Sequence, residues 1–462
     1  VFLARALGVV FTLGVEPHLR KVFSRAEDAP PNPYHGGVWL AGDHHIHTKY
    51  SSDGRYEIVK QVSEAVHHGL GWCVITDHGA KNHDKVVLEK AYPDLLEARR
   101  AHPNIFVFQG LEWNVPAAEH GTVIMPMGAD EARQIAEFET RFDPKNDFLV
   151  IRPANTEGAA LEGVRYLERV VPSALFFVNH PGRTGPPPNG AVSPHELRAW
   201  SDEGKRVMRG FEGAPGHQIM RTRGAFGTKP TLEGFDWMTA TVGGVWDSLL
   251  AEGRPFYITA NSDSHVHYKE GGGDFFPGEY SKTVVWLPQR SPSAVLDALR
   301  SGSMFAVHGD LIDRLEFYAL AGNRYARMGG TLLVPPSVRR VHVVIRVRVP
   351  PHTNFADQRP TLHHVDLIEG KITGTSKDKD AFTNPTTRIA ARFLARDWRS
   401  DDDGYLRMEH VIEDASEPLY LRVRGTNTSH REPLPDPPDV AAPWATLWFY
   451  SNPIFVSVAG HG

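Results

Sequence analysis

The sequence predicts an α/β barrel built from βα repeats, followed by a smaller all-β, sandwich-like domain. Three observations carry that expectation. Up to about residue 310, short apolar runs alternate with helical stripes, which is the pattern of βα units. Nearly every apolar run in that region ends in a His, Asp or Glu. Beyond it, helical stripes give way to alternation of period two. Parallel βα barrels place their active sites at the C-terminal ends of the strands, so the second observation predicts one convergent site.

The elements follow in order. Residues 1–37 read as an N-terminal arm or linker, of which 17–37 are polar and broken by Ala29-Pro30-Pro31-Asn32-Pro33. Within it the apolar stretch 6–15 resembles a signal-peptide core, with a short buried helix or strand as the alternative. Val38-Trp39-Leu40 opens the first strand and leads to His44, His45 and His47. Side chains two apart on a strand share a face, so His45 and His47 converge and look like half of a metal site. Glu57 to His68 carries a helical stripe stopped by Gly69, and Trp72 to Ile75 leads into Asp77 and His78. A helix is expected over roughly 84–101, then a strand from Ile105 ending near Glu112. His120 precedes Val123-Ile124-Met125, Leu175 to Val178 ends at His180, and Ser193-Pro194-His195-Glu196 is a capping box. Gly210 to Gly213 reads as a short strand, Phe256 to Thr259 ends at Asp263 and His265, and a strand from Thr283 with a helix near 292–300 closes the region. Val341 to Val349, Val365 to Ile368 and Tyr420 to Val423 are the strands expected of the β domain. The proline-rich segment 433–443 reads as a loop.

Composition bounds the function. At 462 residues the chain is long enough for two domains. A net charge of −5 advertises no basic face for nucleic acid, so no nucleic-acid partner is expected. No stretch approaches a membrane span, and a soluble protein, cytoplasmic or exported, is expected. The single cysteine, Cys73, lies in an apolar run and forms no intrachain disulfide. The 24 histidines raise the expectation of metal. Any one histidine is ordinarily a hydrogen-bonded surface or core residue. Nine candidates at predicted strand ends are another matter: His45, His47, Asp53, His78, Glu112, His120, His180, Asp263 and His265. Imidazole with carboxylate suits zinc, manganese or iron, and nine ligands are too many for one ion.

The motifs HHIHTKYSSDG (44–54), ITDHG (75–79), GLEWN (110–114) with EHG (119–121), VNHPGR (178–183) and NSDSH (261–265) resemble, in order, the signature segments of the PHP (polymerase and histidinol phosphatase) superfamily. The resemblance covers residues 38–310 and implies a distorted (β/α)7 barrel with two to three divalent ions, Zn, Mn or Fe. It implies His45, His47, Glu112 and Asp263 on a first ion. Glu112 as bridge, His120 and His180 would hold a second, with His217 the alternative to His120. Asp53, His78 and His265 would hold a third. In residues 311–462 the segments HHVDLIEGKITG, LYLRVRGTN and WFYSNPIFV resemble the C-terminal β region of the CehA/McbA-type metallohydrolases, a subgroup that includes aryl carbamate hydrolases.

The function implied is a phosphoesterase in which a metal-bridging hydroxide attacks a small phosphomonoester or phosphodiester. The same ions would hydrolyse a carboxylic ester or aryl carbamate, and an inactive barrel serving as a binding protein is the third reading. Asp77, His267 or Lys81 is expected to protonate the leaving group, with Asp77 alternatively orienting a ligand histidine. Arg183 is expected to clamp a phosphate or, equally, to form a rim salt bridge. Gly271-Gly272-Gly273 with Phe275 and Phe276 reads as a lid with aromatic walls or as a plain loop, and Tyr50, Trp113 and Tyr280 add aromatics near the motifs. His44 is expected to face away. Asp401 to Gly404 reads as a turn rather than a calcium loop. Oligomeric state is not legible.

Overall fold

The computed structural model of the chain describes residues 32–146, 154–183, 192–227, 229–438 and 442–458. The apolar stretch 6–15 and most of the arm lie outside these. The described end of the arm is docked rather than free. Tyr34 is buried, its hydroxyl donates to Phe317 O at 2.7 Å, and its ring stacks on Trp39.

Strands β1 (Val38–Asp43), β2 (Trp72–Ile75) and β3 (Phe106–Asn114) are parallel neighbours. β4 (His120–Ile124) runs antiparallel to β3 and to β5 (Leu175–Val178), after which β6 (Met208–Ala214) and β7 (Tyr257–Ala260) are parallel to β5. β8 (Ser281–Leu287) and β9 (Met304–His308) extend the sheet antiparallel on the other side of β1. Helices α1 (Ile58–His67), α2 (His83–Val86), α3 (Tyr92–Ala101), α4 (Glu131–Phe142), α5 (Glu157–Val170), α6 (Pro194–Glu203), α7 (Trp237–Ala240), α8 (Val245–Leu250) and α9 (Pro292–Ser301) connect the strands.

The sheet is therefore mixed, not a uniform set of parallel βα repeats. The reason is connection length. Five residues separate β3 from β4, Val115–Glu119, too few for a crossover, so the chain must turn back. Between β7 and β8 the segment 261–280 holds only a short 3₁₀ turn at Tyr268–Glu270, and β8 likewise returns. Among the described residues β7 has no ladder partner beyond β6. Instead Ala260 N donates to Thr283 Oγ1 at 2.9 Å, and Ile258 N donates to Asn452 Oδ1 at 2.8 Å. Two polar side chains thus take up backbone groups that a neighbouring strand would otherwise have satisfied.

Local signals explain most helices. α1 ends where Gly69 takes φ +80, and α6 starts on the capping box, with Ser193 N donating to Glu196 Oε2 at 2.7 Å. The expected helix over 84–101 is α2 and α3 joined by a π-helical turn, Val87–Ala91.

Beyond β9 come β10 (Arg314–Ala321), β11 (Arg324–Arg327), β12 (Thr331–Val334), β13 (Val341–Arg348), β14 (His364–Lys371), β15 (Arg388–Leu394), β16 (Arg399–Ser400), β17 (Leu406–Ile412), β18 (Leu419–Thr426), β19 (Trp448–Ser451) and β20 (Ile454–Val458). The order β11-β10-β13-β17-β16 forms one sheet, which shares a core with β12, β14, β18, β19 and β20. Asp401 and Asp403 are spent on Arg346, at 2.9 and 2.6 Å, in a turn where Gly404 takes φ +83. β19 pairs with β9, so the large sheet runs unbroken from the first unit into the second. β8 and β9 alternate between two cores: Val285 and Leu287 face the helices, while Val284, Phe305 and Val307 face the β sandwich. Among the described residues no helix is long and apolar enough to cross a membrane.

Candidate metal centre

One end of the first unit gathers the histidines and carboxylates. His45 and His47 follow β1, His78 follows β2, His180 follows β5, and Asp263 and His265 follow β7. A parallel bridge between Ile46 and Ser264 ties the first of these segments to the last. Glu112 lies within β3, which runs two residues past it because Glu112, Trp113 and Asn114 pair with β4. His120 opens β4 rather than ending a strand. It reaches the same end of the sheet because β4 is antiparallel, so the hairpin places it beside Glu112.

Glu112 is the hub. Its carboxylate oxygens lie 3.0 Å from His45 Nε2, 3.3 Å from His47 Nε2, 2.8 Å from His78 Nδ1, 3.2 Å from His120 Nδ1 and 3.3 Å from His180 Nε2. Asp263 Oδ1 lies 3.1 Å from His45 Nε2 and 3.2 Å from His47 Nε2. Asp53, half-exposed at the rim, lies 3.3 Å from His78 Nε2 and 3.6 Å from His265 Nε2. All nine expected residues therefore meet, and so does His217, whose Nε2 is 2.7 Å from Asp263 Oδ2.

The outward nitrogens are tied down. His45 Nδ1 is 2.7 Å from Glu212 Oε1, and His47 Nδ1 is 2.9 Å from Ser51 Oγ. Ser51 donates its own proton to Asp77 Oδ1 at 2.9 Å, so it accepts from His47. In the neutral rings both Nε2 atoms then carry lone pairs, yet they stand 3.1 Å apart and face two carboxylates. Asp263 Oδ1 is buried with no hydrogen bond, as are the Nδ1 atoms of His78, His120 and His180. Such a set of buried, unpaired polar atoms is costly unless a cation sits among them. The donor set, imidazole and carboxylate, fits zinc, manganese or iron. Groups within ligand reach of one another include His45, His47 and Glu112; His45, His180 and Asp263; His78, Glu112 and His120; and His47, Asp53, His78 and His265.

Electrostatics agree. Burial alone would depress the His45 imidazole, but the Asp263, Glu112 and Glu212 carboxylates outweigh it and hold its pKa well above the usual value. Burial, with His265 and His78 nearby, lowers His47. His78 rises to about 10 because Glu112 and Asp53 overcome its desolvation. Glu112 and Asp263 sit well below the ordinary carboxylate range: burial opposes this, and the surrounding histidines prevail. The centre thus demands positive charge.

Other expectations are redirected. Asp77 accepts from Thr48 N and Thr48 Oγ1, both at 2.7 Å, as well as from Ser51. Its carboxylate is consumed in shaping the 48–51 turn behind His47, which favours the orienting reading over proton donation. Asp77→Ala is expected to weaken metal affinity by about 10–100-fold, measured by chelator competition; unchanged affinity would return Asp77 to the proton-donor reading. His267 does not reach the centre. Its Nε2 is 3.0 Å from Glu279, its ring stacks on Phe276, and neither it nor Lys81 lines the cleft. The leaving-group role expected of these two residues has no geometric basis. Arg183 lines the cleft and pairs with Asp263 Oδ2 at 3.1 Å, which is the rim salt bridge. Phe275 and Phe276 are buried and form no aromatic lid wall, and Trp113 and Tyr280 are core residues. His44 is turned away, its Nε2 2.9 Å from Thr259 Oγ1.

Several supporting residues were not anticipated. Glu212 orients His45 and accepts from His180 N at 2.8 Å. Asn179 Nδ2 donates to Glu112 at 2.9 Å. Asp274 holds His217 Nδ1 at 2.6 Å and accepts from His265 N at 2.9 Å. Glu119 lies 3.4 Å from His180 Nδ1. Glu212 had a usable signal, a carboxylate inside a predicted buried strand; Asp274 had none.

No protein-family model matches the chain, and no curated protein matches it. Among solved structures, it is similar to a two-domain protein from Bacteroides vulgatus containing a predicted PHP-like metal-dependent phosphoesterase, at 16% identity and TM-score 0.41, covering 88% of this chain and 94% of that one. It is also similar to endonuclease Q from Pyrococcus furiosus, at 14% identity and TM-score 0.33, covering 58% and 57%. A third similar structure is endonuclease Q in complex with a duplex bearing an abasic lesion, at 14% identity and TM-score 0.34, covering 58% of each chain. One of these neighbours is described as containing a predicted PHP-like phosphoesterase, while the CehA/McbA subgroup draws nothing from any of them. The expectation that nucleic acid is no partner finds no support in these structures.

Proposed function

We propose that this chain is a metal-dependent hydrolase acting on a phosphomonoester or phosphodiester. The observation that carries the reading is the meeting of His45 Nε2, His47 Nε2, Glu112 and Asp263 Oδ1 with their outward atoms already committed. His45, His47, Glu112 and Asp263 would hold one ion; Glu112, His120 and His180 a second; Asp53, His78 and His265 a third. Bound there, divalent ions would make water a nucleophile near neutral pH and polarise the attacked group. The chain's own residues do the rest. Glu212 and Ser51 fix the rings of His45 and His47 so that each Nε2 faces the ions. Arg183 neutralises the outer oxygen of Asp263 and leaves its buried, unpartnered Nε beside the cleft for an anionic substrate. The cleft, about 340 Å³, is lined by these groups with Met220, Val266 and Gly273.

A carboxylic ester or aryl carbamate hydrolase is the second reading. Apolar Met220 and Val266 favour it, as does Arg183 being the one lysine or arginine lining the cleft among the described residues. Against it, no Phe, Tyr or Trp lines the cleft among those residues. We keep 38–310 as the catalytic unit and 311–462 as the β unit.

The test is a screen of metal-reconstituted protein on p-nitrophenyl phosphate, bis-p-nitrophenyl phosphate, p-nitrophenyl acetate, an aryl carbamate and an abasic-site duplex. Turnover of a phosphoester is expected. Turnover of an ester alone would replace the first reading with the second. Fewer than one ion per chain after reconstitution would make the protein a binding protein. His45→Ala should lose ions and activity together.

A further inference from the structure

We propose that the C-terminal β unit serves the reaction by holding one wall of the cleft, with Asp436 as its positioning residue. The idea rests on the hydrolase reading and adds a purpose for residues 311–462.

The wall is the segment from Pro215 to Asp236, which links β6 to α7 and places His217 and Met220 at the cleft. Apart from a three-residue 3₁₀ turn at Arg223–Ala225, its described residues contain no helix or ladder strand of their own. It also carries unfavourable backbone: φ is +55 at His217, +55 at Ala225 and +48 at Glu233, none of them glycine. Such residues persist only where the surroundings hold them.

The surroundings come from the β unit. Asp436 Oδ1 pairs with Arg223 Nη1 at 2.9 Å, and its Oδ2 accepts from Thr231 Oγ1 at 2.5 Å and from Gly234 N at 3.0 Å. Backbone bonds run both ways, Glu233 N to Leu434 O at 3.0 Å and Asp436 N to Thr231 O at 2.9 Å. Glu233 is gripped by His430 Nδ1 and Trp448 Nε1, both at 2.5 Å.

From Asp436 the line to the cleft is short. Arg223 Nε donates to Gln218 Oε1 at 3.2 Å, and Gly224 N donates to His217 O at 3.1 Å. His217 then meets Asp263 Oδ2, and Met220 packs so close to Gly273 that a Cβ there would lie 2.7 Å from Met220 Cγ. The atoms proposed to face the ions, by contrast, hang from β1 to β5 and β7 or the loops that follow them, and among the described residues this segment pairs with them only through His217 at Asp263 Oδ2. Loosening the wall should therefore spoil substrate positioning while sparing the ions.

The experiment compares Asp436→Asn, Asp436→Ala and Met220→Ala with Asp366→Asn, which breaks a buried pair elsewhere in the β unit. With bis-p-nitrophenyl phosphate, both Asp436 variants should raise KM by about tenfold with kcat within about threefold and ions per chain unchanged. Asp436→Asn combined with Met220→Ala should raise KM by less than the product of the two, because both act on one wall. Hydrogen exchange over 217–227 should rise in the Asp436 variants and stay at the wild-type level in Asp366→Asn. That readout stands even if the wild type turns over no phosphoester, an outcome that would sink the functional reading alone. Unchanged exchange over 217–227 in both Asp436 variants would overturn the proposal. So would a KM rise that Asp366→Asn matches.

Discussion

Glu112→Gln is expected to bring the centre below one ion per chain and to lower kcat/KM by about 10³-fold or more. The substitution keeps the shape of the side chain. It replaces one acceptor oxygen with an NH₂ at the point where five imidazoles approach within 3.3 Å. An amide donor there would face the ions or the histidines, and Asn179 Nδ2 would lose an anionic acceptor. No neighbour can substitute, because Asp263 already spends Oδ2 on Arg183 and His217. Metal analysis and steady-state kinetics on the same sample decide the matter. A variant that keeps its ions and comes within tenfold of wild-type activity would remove Glu112 from the centre of the scheme.

Asp247→Ala is expected to cost about 3–5 kcal/mol of stability without touching the metals. Asp247 sits in α8, fully buried, and receives Arg422 of β18 through Nε at 2.8 Å and Nη2 at 2.7 Å. The hydroxyl of Tyr420 donates to the same carboxylate at 3.1 Å. Alanine would strand a guanidinium whose Nη1 already has no hydrogen-bond partner, in a site that water does not reach. Replacing both partners with apolar residues of similar volume should recover much of the loss, since the penalty lies in the orphaned charge. Equilibrium urea unfolding of the metal-loaded proteins measures both. A single variant within about 1 kcal/mol of wild type would mean that the pair contributes little between the two units.

How much was legible depended on how local each signal was. His45 and His47 announce themselves because two residues along a strand share a face. The capping box at Ser193 and the stop at Gly69 need only their own neighbours. Most of the nine candidate ligands were legible because they follow apolar runs, and the geometry gathers all nine. What failed was direction. A run such as Val123-Ile124-Met125 has the same composition whether it runs up or down, and the five-residue loop before it was the clue to reversal. His267 lies two residues from His265, and spacing alone cannot tell that one turns toward the cleft while the other turns to Glu279. Asp274 and Asp436 were invisible for a different reason: His217 lies 57 residues from Asp274 and Arg223 lies 213 from Asp436, and nothing local distinguishes a supporting carboxylate from a solvated one.

Strands β8 and β9 lend one face to each core. They are a party wall, and neither dwelling stands complete without it. A chain cut near residue 310 would not be the catalytic unit minus an ornament. It would present Val284, Phe305 and Val307 to water as one strip. It would also leave β9 with the unpaired edge that β19 now covers. The boundary at which sequence character changes is therefore not a place where the molecule comes apart.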